Sequence, residues 1–244
     1  MITDIIYSPI NPEELQYRIK KLTNFENSTF DDKNKINVAD LIIDLEKYTV
    51  SVEQKIIDLT FKEFGGVDKL VVNAGGPPTG KFEDFSDSDW QSAFELNLLS
   101  AVRMIRAILP LMRNRKGGSI LTITSMSVKE PIDVLILSNV MRSGVTSLIK
   151  SLSIQLAKDN IRLNNLMPGR IDTDRIRSLD SLRSQKENSP IDKIKEKSYA
   201  QIPMGRYGTI EEFGRCGAFL LSDAASYITG SSLAVDGGTL KTVW

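Results

Sequence analysis

Short apolar runs alternate with longer stretches of helical period along this chain, and that alternation constrains its fold more than any other feature. "ITDIIYS" reads as a strand, and "NPEELQYRIKKL", opened by asparagine, proline and two glutamates, reads as a helix. Residues 36–45, "INVADLIIDL", form the next strand candidate, with "SVEQKIIDLTFKEF" a helix after it. "VDKLVVNAGG", "GGSILTITS", "IRLNNLMPG" and "GSSLAVDGG" read as further strands. Helices are expected over residues 87–114 and 138–159 and in "TIEEFGRCGAFLLSD". Strands joined by helical crossovers predict an α/β fold in which a parallel sheet is covered on both faces. A length of 244 residues suits one such domain over residues 1–244. The polar stretch 180–197, "DSLRSQKENSPIDKIKEK", is the best candidate for a mobile lid over a ligand site.

Composition enters mainly through what it excludes. Thirty-one basic side chains balance 31 acidic ones, which gives no reason to propose a nucleic-acid or anionic-membrane partner. Histidine is absent, so Ser-His-Asp and Cys-His catalysis and His-ligated metal sites are excluded. The single cysteine, Cys216, makes neither an intrachain disulfide nor a metal cluster, and no metal site is expected. No run approaches membrane-span length, and the start "MITDIIYSPINPEE" lacks the basic opening of a signal peptide. A cytoplasmic protein is the expectation.

The pieces "VVNAGG", "FELNLLSAVR", "ILTITS", "NNLMPGRIDTDR", "IPMGRYGTIEEFG" and "ASYITGSSLAVDGG" together resemble the short-chain dehydrogenase/reductase family, in particular its 3-oxoacyl-[acyl-carrier-protein] reductase-like members. The resemblance implies a Rossmann-like doubly wound sheet and a ligand crevice at the carboxyl ends of its strands. It also implies NADP or NAD as cofactor, a ketone or secondary alcohol as substrate, and a homodimer or homotetramer. The family assembles through the elements matching residues 87–114, 138–159 and 230–238.

Carried onto this chain, the resemblance places Asn73, Ala74 and Gly75 against the cofactor and Asp44 at its adenine. Pro168, Gly169, Ile171 and Thr173 belong to the loop that positions the nicotinamide amide, Ile171 and Thr173 contacting it. Asn97 matches the asparagine that holds a structural water, and Ser125 the serine that orients the substrate. The register from Ser125 puts Ser138 where the family has its catalytic tyrosine and Arg142 where it has its lysine. A serine hydroxyl is a far weaker acid than a phenol of pKa about 10, and an arginine stays charged, so it relays no proton. Arg142 can still bridge ribose hydroxyls.

A second departure lies at the start. The family's first strand ends in a glycine-rich turn that seats the pyrophosphate, but the first glycine here is Gly65. The chain therefore either lacks the first strand–loop–helix unit or keeps it in worn form, with residues 2–8 filling the central strand position. Dinucleotide binding stays open on these grounds. So does the choice between an oxidoreductase with impaired acid chemistry and a non-catalytic relative that binds a ligand or serves as a structural subunit.

Overall fold

A computed structural model describes residues 35–38, 41–44, 49–52 and 66–243. The chain divides into two compact units, Met1–Glu63 and Phe64–Trp244.

In the first unit, β1 (Lys35–Val38), β2 (Leu41–Asp44) and β3 (Thr49–Val52) form an antiparallel sheet in that order. Lys35 lies opposite Asp44, which in turn lies opposite Thr49. This corrects the single strand expected over residues 36–45: two short antiparallel strands stand there, separated by only Ala39 and Asp40. A two-residue connection suffices for an antiparallel pair, whereas parallel strands need a long crossover. Ser51 and Val52, expected to open a helix, instead belong to β3, whose sequence "TVSV" is rich in β-branched residues. The strand expected at residues 2–8, the helix after it and the rest of the helix after Val52 lie outside the described residues, as does the choice between a lost and a worn first unit.

The second unit carries the parallel sheet. Strands β4 (Lys69–Asn73), β5 (Gly118–Ile123), β6 (Ile161–Pro168) and β7 (Ser232–Val235) pair in parallel in chain order. Between β4 and β5 run α1 (Asp87–Ala93), a π-helical segment (Phe94–Leu99) and α2 (Ser100–Asn114). Helix α3 (Ile136–Leu156) joins β5 to β6. Three helices, α4 (Asp174–Lys186), α5 (Ile191–Tyr199) and α6 (Ile210–Leu221), lie between β6 and β7.

Strand alternation explains the two layers of core. Ile120 and Leu163 face one side and pack with Ala101, Ile105, Ile149 and Leu156 from α2 and α3. Leu121 and Leu166 face the other and pack with Leu220 and Leu221 of α6. The sheet is thus covered on both faces, as a doubly wound fold requires. Because the strands are parallel, Asn73, Ile123 and Pro168 all end at one edge, and the loops leaving them share it.

The polar stretch expected to act as a lid is two helices, and its first residue is not solvated. Asp180 is fully buried, and the Tyr207 hydroxyl donates to its Oδ2 at 2.9 Å. Arg170 Nη1 stands 3.8 Å from the other oxygen, Oδ1. Burial raises the Tyr207 phenol above its ordinary value, and the adjacent Asp180 carboxylate adds to the rise against an opposing Ser198 contact. A buried carboxylate with partners from the β6 exit and the α6 approach fastens α4 to the rest of the unit.

Candidate active site

Strand β4 ends at the exposed Asn73 and continues as Ala74, Gly75 and Gly76. Strand β5 continues through Thr124, whose N–H donates to Leu166 O at 3.0 Å, into Ser125. Ser125 is the N-cap of a short 3-10 turn (Met126–Val128), its Oγ accepting from Ser127 N at 3.1 Å. The first turns of α3 then bring Ser138 and Arg142 back toward the strand ends. They are four residues apart and so share one face of the helix. Ser138 is buried.

Arg142 is held by backbone alone. Its Nη1 donates to Ile123 O at 2.9 Å and Thr124 O at 3.2 Å. Its Nη2 donates to Ala74 O at 3.1 Å and Gly75 O at 3.4 Å. A guanidinium has five N–H groups, so these contacts leave the Nε–H as its remaining donor. Burial, followed by the positive charge of Arg175, lowers the Arg142 pKa from its ordinary value to about 10. It therefore stays charged at neutral pH, as a clamp joining α3 to the ends of β4 and β5.

Asn97 sits in the π-helical segment, a distortion often found at functional sites. It is buried, and its Nδ2 donates to Ala93 O at 3.3 Å. Its Oδ1 and the Oγ1 of Thr124 are buried with no hydrogen-bond partner among the described residues. Both residues line a cavity of about 10 Å³, together with Ala74 and Arg142. That is close to the room one water needs, and the polar atoms around it are of the kind that bind one.

The loop after β6 is shaped by close approach. A Cβ on Gly169 would stand 2.6 Å from Asp236 Cα, and Gly169 N donates to Val235 O at 3.0 Å, so only glycine lets the strand exit there. Ile171 is buried and bridges to Gly208, whose carbonyl accepts from Asp172 N at 2.8 Å. Thr173 caps α4, its Oγ1 accepting from Ile176 N at 3.4 Å. Glu212 supports the facing segment. Arg206 donates to both its oxygens at 2.7 and 2.9 Å, and that guanidinium, with the Thr209 N–H, lowers its pKa from 4.5 to about 2.

Ala74, Asn97 and Arg142 therefore meet around one cavity, with Gly75 held by the same guanidinium. Ser125 follows the Thr124 that Arg142 grips, and Ser138 lies one turn before Arg142. Pro168, Gly169, Ile171 and Thr173 form the exit of the neighbouring strand at the same edge. Asp44 belongs to the other unit: it closes β2 of the antiparallel sheet, not a parallel strand as expected, and its side chain lies outside the described residues.

Sequence inspection passed over Arg175, whose guanidinium lies against Gly76, and the Asp180–Tyr207 pair. A signal existed for the first: a cation in the first turn of a helix opposes the helix dipole. Among the described residues, no His/Cys/Asp/Glu group is arranged to hold a metal, and no helix is long and apolar enough to cross a membrane.

A family model described as enoyl-(acyl carrier protein) reductase matches residues 49–239. The human dehydrogenase/reductase SDR family member 4 is 34% identical over 188 residues, which are 76% of this chain and 64% of that protein. The chain thus spans slightly less than two thirds of that relative's length. The crystal structure of YwfH, an NADPH-dependent reductase involved in bacilysin biosynthesis, superposes with a TM-score of 0.74 at 31% identity, covering 78% of this chain and 73% of that one. L-sorbose reductase from Gluconobacter frateurii, complexed with NADPH and L-sorbose, gives a TM-score of 0.73 at 31% identity, covering 77% of this chain and 72% of that one.

Proposed function

The chain belongs to the short-chain dehydrogenase/reductase family, and from that premise we propose that it is a nicotinamide-dependent oxidoreductase of ketones or secondary alcohols, 3-oxoacyl reductase-like, with impaired acid catalysis. The observation that carries the proposal is the meeting of Asn97, Arg142 and the Ser125 segment at the ends of β4 and β5.

The nicotinamide side of the crevice fits the cofactor. Two orphaned oxygens, Asn97 Oδ1 and Thr124 Oγ1, belong to residues that line a water-sized cavity beside it. Asn73, Ala74, Gly75 and the Arg142 Nε–H would hold the ribose side, and Pro168, Gly169, Ile171 and Thr173 the amide. Bound there, NADP or NAD supplies or accepts the hydride.

The chain's own residues then have divided duties. Ser125 Oγ orients the substrate oxygen by hydrogen bonding. Ser138, in the tyrosine position, offers a hydroxyl much less acidic than a phenol, and Arg142 gives positive field without exchanging a proton. Weak general acid catalysis costs typically 10²–10⁴-fold in rate, which slows turnover without abolishing it. A soluble cytoplasmic homodimer or homotetramer, paired through the faces of residues 87–114, 138–159 and 230–238, completes the proposal.

One observation favours a second role, a ligand-binding or structural relative without turnover: Arg142 commits both Nη groups to backbone carbonyls. Calorimetric titration with NADPH, NADP⁺, NADH and NAD⁺, followed by a ketone panel, decides between them. Micromolar binding and slow reduction are expected. A folded protein that binds none of the four at millimolar concentration is not a dehydrogenase.

A further inference from the structure

We propose that Arg175 is the phosphate-binding residue of this crevice, taking the pyrophosphate of a bound dinucleotide. This rests on the crevice being a dinucleotide site, and it identifies the group that holds the phosphates.

Arg175 lies in the first turn of α4, next but one to the N-cap Thr173. A cation there works against the positive end of the helix dipole, so helix stability gives it no reason to be present. Acidic neighbours do not explain it either. Asp172 and Asp174 both bond to Arg177, at 2.9 and 3.1 Å, and Arg175 takes part in no ion pair among the described residues.

Its guanidinium instead reaches to the end of β4. Arg175 Nη1 and Nη2 lie directly against Gly76, in the space a side chain at position 76 would enter. Arg142 grips the two preceding carbonyls, Ala74 and Gly75. Two guanidiniums therefore rest on three consecutive residues, and among the described residues neither forms an ion pair. Their charges interact, since Arg175 helps burial to lower the Arg142 pKa.

Two unneutralised cations beside a low-dielectric crevice raise a positive potential that draws anions. A dianion compensates both, and a guanidinium fork matches phosphate oxygens bidentately. Arg175 is exposed, so it can turn from Gly76 onto a ligand, while Arg142 stays clamped and contributes charge.

The test titrates the full chain and its Arg175→Ala and Arg175→Lys variants with NADPH, NADH and inorganic pyrophosphate, with thermal melts confirming that all three proteins fold. Loss of a charge-assisted hydrogen bond predicts roughly 10–100-fold weaker binding in R175A, partial recovery in R175K, and weakening of the wild type by added salt. Dinucleotide affinity that is the same in wild type and R175A overturns the assignment while leaving the dehydrogenase proposal standing. Pyrophosphate binding that depends on Arg175, without any dinucleotide binding, upholds the phosphate site and sinks the dehydrogenase. Failure of the wild type to bind any of the three overturns both.

Discussion

Arg142 Nη1 donates to the carbonyl of Ile123 at 2.9 Å, so a residue on the second turn of α3 seals the last residue of β5. The same guanidinium reaches Ala74 past the end of β4. Removing it strands several carbonyls in a partly buried place. Arg142→Met should therefore cost about 2–4 kcal/mol of stability, the range for breaking a buried polar network. Urea denaturation measures it. A loss below about 0.5 kcal/mol, the level of an ordinary surface substitution, would show that the clamp contributes little.

On the proposed reading of Ser138, placing a stronger acid there should raise turnover. The double variant Ser138→Tyr with Arg142→Lys supplies a phenol and an ammonium at the proposed catalytic positions, and reduction of a ketone substrate should rise by roughly 10²–10⁴-fold. The assay is NADPH consumption by the folded double variant against wild type. Unchanged turnover, with cofactor bound, would mean that another group already serves as the acid.

Tyr207 and Asp180 should be coupled. Tyr207→Phe removes the hydroxyl donor from a fully buried carboxylate and should destabilise by about 1–3 kcal/mol. Asp180→Asn alone should also destabilise, and the double variant should cost less than the two singles together. Strict additivity in equilibrium unfolding would separate the two residues.

Glu212 sets a pH dependence of known sign. Its folded pKa, about 2, lies below its ordinary 4.5 because Arg206 and the Thr209 N–H favour the charged form. The folded state therefore binds the proton less readily than the unfolded one. The contribution is fully present above pH 4.5 and is lost as pH falls through about 2. Melting curves of wild type and Glu212→Gln should converge as the pH is lowered through that window, and a constant difference would contradict it.

Much of this was legible beforehand, for identifiable reasons. "VDKLVVNAGG", "GGSILTITS" and "IRLNNLMPG" are apolar runs that alternate with helical segments, and each supplies a parallel strand as expected. Ser138 and Arg142 could be placed on one helix face by spacing alone. "INVADLIIDL" misled because apolar residues recur along all of it, and that pattern does not reveal that Lys35–Val38 and Leu41–Asp44 pair with each other. The stretch from residue 180 misled because composition marks Asp180 as solvated, while its burial depends on Arg170 and on Tyr207, 27 residues further along the chain.

By itself the sequence determined the alternation of parallel strands and helices over residues 66–243 and the residue types Ser138 and Arg142 four positions apart. Those are properties of local pattern and residue type. Only the tertiary structure decided that Arg142 spends its Nη donors on Ile123, Thr124, Ala74 and Gly75, and that Arg175 lies against Gly76. Hydrogen-bond partners and uncompensated charge depend on which distant segments the sheet brings to one edge, and a linear pattern carries no record of those distances.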